Sequence, residues 1–140
     1  MEKILNYING TLTEPLSGNF FNNINPAEGK PYSLIPDSDK ADVTNATVAA
    51  KKAFAVWSDT PARERSTILI KIADLIDRDV DKLSVAESVD QGKPVTLARS
   101  LDIPRAAANI RFYATAILHE SGEAHFTDNE AINYTQHTPI

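Results

Sequence analysis

Apolar residues along the chain change from a strand-like to a helical period after Ile35, and that change sets the expected architecture. Between Ile4 and Ile35 the residues alternate or are β-branched, and the interruptions at Asn9-Gly10, Ser17-Gly18-Asn19 and Asn25-Pro26-Ala27-Glu28-Gly29 carry turn chemistry. Short strands are expected at about Leu5 to Ile8, Thr11 to Glu14, Phe20 to Asn23 and Pro31 to Ile35. Strands this short cannot stand alone and need a second layer beneath them.

Val43, Ala46, Ala50, Ala53, Phe54 and Trp57 fall on one stripe at helical spacing, which predicts a helix over 40–58 with that stripe packed in a core. Ser38 and Asp39 are alternative N-caps, and Asp42 adds negative charge to the first turn. Thr60 and Pro61 read as N-cap and first residue of a second helix. Its apolar positions Ile68, Ile72, Leu75, Ile76, Val80, Leu83 and Ala86 predict an uninterrupted run over 61–90. The opposite face holds Lys71, Asp74, Arg78, Asp81 and Lys82, opposite charges at i,i+3 and i,i+4 that suit a solvated surface. Gly92 then offers a left-handed closing residue and Pro94 a pre-set φ, so Glu87 to Pro94 is a corner between helices.

A third helical pattern covers 94–119 with Ile103, Ala107, Ile110, Ala114, Ile117 and Leu118 on its buried face. Pro104 lacks the amide that would bond back to Ser100 and pushes Ile103 from helical angles, so a bend or break is expected near Asp102, which could cap the second half. After Ser121-Gly122, the residues Ala124 to Asp128 read as loop, and a strand is expected from Ile132 onward over Asn133 to Ile140. By pattern alone the chain is α+β: short strands, three or four helices, and a C-terminal strand.

Composition narrows the chemistry. The 140 residues are 42% hydrophobic and 24% charged, which suits one domain with a modest core. A net charge of -5 argues against a nucleic-acid partner and an anionic membrane surface. No apolar run approaches the roughly 20 residues of a membrane helix, and Met1 to Asn6 carry no secretion signal, so a cytoplasmic location is the default expectation. There is no cysteine, hence no thiolate nucleophile, disulfide or thiolate metal site in these residues. His119, His125 and His137 lack metal-ligand spacing, no glycine-rich phosphate loop is present, and no serine sits in a nucleophile elbow. No complete active site is legible.

A series of short motifs nevertheless occurs in a telling order: Tyr7-Ile8-Asn9-Gly10, Ile24-Asn25-Pro26-Ala27-Glu28-Gly29, Asp39-Lys40-Ala41-Asp42-Val43, Ala53-Phe54 with Trp57, Ala73-Asp74-Leu75-Ile76, Glu87 to Arg105, and Asn109-Ile110-Arg111-Phe112-Tyr113-Ala114. Each is weak alone. Together they resemble the amino-terminal part of the NAD(P)-dependent aldehyde dehydrogenases, most closely the branch acting on muconic semialdehydes.

The resemblance implies a Rossmann-type α/β parent whose cofactor is NAD, with residues 1–122 as the start of the NAD-binding domain and 123–140 as the start of an oligomerisation arm. It also implies that the catalytic cysteine, glutamate base, glycine-rich turn and oxyanion-hole asparagine lie beyond this segment, which alone would be inactive. Asn23, Ile24 and Asp90 match positions that hold a monovalent cation in many members, the plain alternative for Asp90 being a charge near a helix C-terminus. Leu101 and Arg105 match positions lining the aldehyde tunnel, where Arg105 resembles an anchor for a substrate carboxylate. The plain alternative is a surface ion pair with Asp102. The implied partners are a small aldehyde and further copies in a homodimer or homotetramer. A rival reading is a stand-alone, non-enzymatic interaction module built from the same fold.

Overall fold

The computed structural model describes residues 1–138. Five short strands come first: β1 (Glu2–Lys3), β2 (Asn6–Ile8), β3 (Thr11–Thr13), β4 (Phe20–Asn25) and β5 (Lys30–Pro36). β5 is the middle of a three-stranded sheet, antiparallel to β4 and parallel to β1. β2 and β3 form a separate hairpin, closed by Asn9 at φ 53° and Gly10 at φ 79°, the two positive angles its two-residue turn requires. β1 was not among the expected strands. Two residues carry no period, and this strand exists because the edge of β5 pairs with it.

α1 (Lys40–Trp57) starts at Asp39, whose carboxylate accepts from the amides of Ala41 and Asp42 at 2.7 and 3.4 Å. Asp42 Oδ2 accepts in return from the Asp39 amide at 3.0 Å, completing a capping box. Asp42 is only 4% exposed, and its Oδ1 accepts from the Leu16 amide at 2.9 Å. One carboxylate therefore fixes both the helix start and the segment after β3.

The helix expected over 61–90 is two helices, α2 (Ala62–Arg78) and α3 (Val80–Gln91). Between them Asp79 has φ -99° and ψ 18°, and Arg78 donates to its carboxylate twice, at 2.9 and 2.8 Å. The apolar period continues through this point, so a one-residue change of direction leaves no trace in it. Thr60 does not cap α2; its hydroxyl donates to the Val56 carbonyl at 3.0 Å, and Pro61 directly precedes the helix.

The bend or break expected near Asp102 takes the form of a π turn. After α4 (Val95–Leu97) the chain makes a π turn over Ala98–Asp102, the Ile103 amide donating to the Ala98 carbonyl, and continues into α5 (Ile103–Ala116). Pro104 thus falls in the first turn of α5, where a missing amide costs little. Asp102 keeps helical angles and makes no capping hydrogen bond.

A 3-10 turn at Ile117–His119 ends this arm of the chain. Ala124–Thr127, expected as loop, is strand β6, paired antiparallel with β7 (Ala131–Tyr134). Asp128 and Asn129 supply the positive φ of the hairpin turn, 39° and 63°. The expected strand over 133–140 is therefore shorter: 135–138 are irregular, and Pro139 and Ile140 lie outside the described residues.

α2 packs most extensively on α5, with Ala73, Ala107 and Ala114 fully buried. Methyl-sized side chains allow close approach of helices. Arg111 of α5 adds ion pairs to Asp74 and Asp77 of α2, each at 2.6 Å. The stripe on α1 is not buried as expected: Val43 is 62% exposed, Phe54 and Trp57 41% each. Ile68, Ile72 and Leu75 of α2 are exposed too. The accessible surface is 10584 Å² for a 15.3 kDa chain, against about 7,100 Å² for a compact monomer of that mass. The apolar faces are where the pattern put them, but this chain does not cover them.

Candidate functional site

The corner between α3 and α4 is built on Gly92, which has φ 72° and donates its amide to the Ser88 carbonyl at 2.8 Å. A Cβ at this position would lie 3.0 Å from Pro26 Cβ and 3.2 Å from the Ala27 nitrogen. Glycine is required here twice over, for the left-handed backbone and for the close approach of the turn between β4 and β5.

One cluster hangs on the residue two places earlier. Asp90 Oδ1 accepts from the Tyr32 hydroxyl at 2.7 Å and from the Asn23 amide at 3.2 Å, while its Oδ2 accepts from Gln91 at 3.1 Å. Asn23 also donates to the Tyr32 oxygen at 2.8 Å. The Tyr32 hydrogen bond, followed by that of Asn23, holds the Asp90 carboxyl below the usual carboxylate range. The same bond is the main cause that raises the Tyr32 phenol above its ordinary value. A carboxylate in the last turn of a helix meets an unfavourable dipole, and these donors offset it. Ile24 adjoins Asn23 at an irregularity of the β4–β5 ladder, where Asn23 faces Ser33 and Ile24 faces Pro31, leaving Tyr32 as the extra residue.

Of the three residues expected around a cation, Asn23 and Asp90 are therefore in contact and Ile24 is their neighbour on β4. Tyr32 was not anticipated, because its place depends on a register shift between two strands that neither strand's own pattern encodes. A cleft of about 490 Å³ opens beside this cluster, lined by Ile4, Tyr32, Leu83, Glu87, Asp90 and Ile103 among others.

A second cluster spans the corner. Lys93 Nζ donates to Glu87 Oε1 of α3 and to Asp102 Oδ2 of the π turn, both at 2.8 Å. The Lys93 carbonyl accepts from the Ser88 hydroxyl. The bond to Asp102, followed by that to Glu87, raises the Lys93 ammonium above the ordinary lysine value. Arg105 Nη2 lies 3.9 Å from Asp102 Oδ1, and its side chain is 65% exposed; Leu101 is exposed to about half. Leu101 lies within the π turn and Arg105 one residue past Pro104. Sequence reading found Arg105 and its neighbour Asp102 but missed Lys93, whose only signal is a cation flanking Gly92 with an acid six residues before it.

Among the described residues, no group of three or more His, Asp and Glu side chains is disposed to hold a metal ion. His137 pairs with Glu120 at 2.9 Å. No helix among them is long and apolar enough to cross a membrane. The chemistry these residues offer is recognition of anions by a cation on a helix, while both Asp90 oxygens accept hydrogen bonds from Tyr32, Asn23 and Gln91.

The sequence profile described as the Aldehyde dehydrogenase family matches residues 13–140. The 2-aminomuconic semialdehyde dehydrogenase of Bos taurus is 40% identical over 96% of this chain and 28% of its own length. Acetaldehyde dehydrogenase 2 of Cupriavidus necator is 38% identical over 96% of this chain and 27% of its length. Among solved structures, the NAD+ complex of the aldehyde dehydrogenase from Bacillus cereus superposes with a TM-score of 0.94 at 30% identity, covering 99% of this chain and 29% of that one. The chain thus spans about 28% of the length of the relatives it matches.

Proposed function

From the premise that the chain belongs to the aldehyde dehydrogenase family, we propose that it is the amino-terminal section of an NAD-dependent enzyme oxidising a small carboxylated aldehyde, of the muconic semialdehyde kind, to a carboxylate. The observation that carries the substrate class is Arg105, an exposed guanidinium at the head of α5 whose nearest carboxylate among the described residues, Asp102, is 3.9 Å away and holds Lys93 through its other oxygen. A guanidinium in that state can take a carboxylate through two parallel hydrogen bonds. The similarity to the Bos taurus relative, a 2-aminomuconic semialdehyde dehydrogenase, supports the same class.

In this reading Leu101 lines the aldehyde path and Arg105 orients the substrate by its acid end. Asn23, Ile24 and Asp90 offer oxygen ligands, at a ladder irregularity, whose chemistry suits a monovalent cation. Bound NAD supplies the hydride acceptor; none of the residues described above is assigned to it. Residues 1–122 belong to the nucleotide-binding domain, and the uncovered stripes of α1 and α2 are its internal contacts. The β6–β7 hairpin in 123–140, with Phe126, Ile132 and Tyr134 exposed, belongs to an arm that joins copies in a homodimer or homotetramer. Nothing among the relatives supports a stand-alone interaction module.

The test is kinetic. In the full-length enzyme, Arg105→Leu is expected to raise the KM for 4-oxobutanoate relative to that for butanal by about tenfold or more. An unchanged ratio would remove Arg105 from substrate recognition.

A further inference from the structure

We propose that Lys93 is a positioning residue for substrate selection: by engaging Asp102 it keeps that carboxylate from closing on Arg105, and so leaves the guanidinium available to the substrate. The inference rests on Arg105 being the carboxylate anchor.

Asp102 and Arg105 are three residues apart on a helical path, the spacing at which an acid and a base normally pair. An arginine given a free neighbouring carboxylate forms hydrogen bonds near 2.8 Å, as Arg78 does with Asp79 in this same chain. Arg105 does not: Nη2 stays at 3.9 Å from Oδ1, outside hydrogen-bond reach. The two pairs differ in spacing, adjacent against three apart, and in that Lys93 holds the other oxygen of the Asp102 carboxylate. The Lys93 ammonium holds Asp102 Oδ2 at 2.8 Å, and the Asp102 side chain is only 20% exposed, so that contact is little screened by water.

Lys93 is itself fixed from two further directions. Glu87 Oε1 accepts from its ammonium at 2.8 Å, and the Ser88 hydroxyl donates to its carbonyl. The π turn completes the arrangement. Its wider circuit carries Asp102 in register with Lys93, then passes through Pro104 without a break to Arg105. Glu87, Lys93, Asp102 and Arg105 together are neutral, with one carboxylate shared so that one guanidinium is spared.

The experiment compares KM for 4-oxobutanoate with KM for butanal in the full-length enzyme, so that a general loss of catalysis cancels in the ratio. Lys93→Met is expected to raise this ratio by about fivefold to tenfold, because Asp102 is released to Arg105. Adding Asp102→Asn to Lys93→Met is expected to restore it to within about twofold of the starting enzyme, since the competing charge is gone. Lys93→Arg is expected to keep it.

Asp102→Asn alone leaves the ratio unchanged or lowers it, and this variant decides the matter if Lys93→Met fails to fold. A ratio raised by Asp102→Asn, or a double variant no better than Lys93→Met, overturns the inference. If Arg105→Leu shifts the ratio while Lys93→Met does not, only this inference falls. If Arg105→Leu leaves the ratio unchanged, the anchor reading falls and this inference with it.

Discussion

Two single carboxylates, Asp42 and Asp90, each tie together segments far apart in the sequence. Asp42 is buried and accepts from the amides of Leu16 and Asp39, so its removal leaves two backbone donors without partners. Asp42→Ala is expected to speed hydrogen exchange at Leu16 by about tenfold or more, an opening cost lower by about 1–2 kcal/mol. Unchanged protection would show that the cap is dispensable. Asp90 has a depressed pKa in the folded chain, chiefly through Tyr32. A group of this sign contributes stability above its unfolded pKa and loses it as pH falls through the folded value. Tyr32→Phe is therefore expected to lower the urea midpoint at neutral pH, with the difference from the parent chain shrinking below about pH 4. A difference that stays constant on acidification would separate Tyr32 from Asp90. Asp42 was legible as a first-turn acid, but its grip on Leu16 was not, because the partner lies 26 residues away.

At the scale of elements, local chemistry was read well where it acts within a few residues. Asp39, one of the two alternative caps in the sequence, starts α1, and Gly92 closes α3 in the left-handed conformation as expected. Interruptions that keep the apolar period intact were not legible. Asp79 turns the chain with no change in the stripe, whereas Pro104 signalled an interruption near Asp102 and only its form, a π turn over Ala98–Asp102, was not legible. β6 was missed for a different reason: a four-residue strand acquires its identity from its partner β7, and the Asp128-Asn129 turn that joins them is a weaker signal than Asn9-Gly10. The corner can be tested directly. Gly92→Ala places a side chain at φ 72° against Pro26, and is expected to cost about 1–2 kcal/mol in denaturant stability from the backbone conformation alone. A neutral substitution would mean that the β4–β5 turn moves aside freely.

For the whole molecule, the surface is the main finding. The helices carry amphipathic stripes at the expected positions, yet Phe54, Trp57, Ile72 and Leu75 remain exposed, and the accessible area exceeds that of a compact chain by about 3,400 Å². Periodicity reveals that a face is meant to be covered; it cannot reveal by what. The chain belongs to the aldehyde dehydrogenase family and spans 28% of the length of its Bos taurus relative, and in the function proposed above these faces meet the rest of a dehydrogenase. Likewise Arg105 could be singled out in the sequence, while the Lys93 bridge between Glu87 and Asp102 needed the fold. On this account the chain contributes scaffold and substrate selection but none of the groups that make or break bonds. Aldehyde-dependent NADH formation measures this most directly, with the purified 140-residue chain set beside the full-length enzyme. Formation by the full-length enzyme and none by the chain is the predicted result; turnover by the chain itself would contradict it.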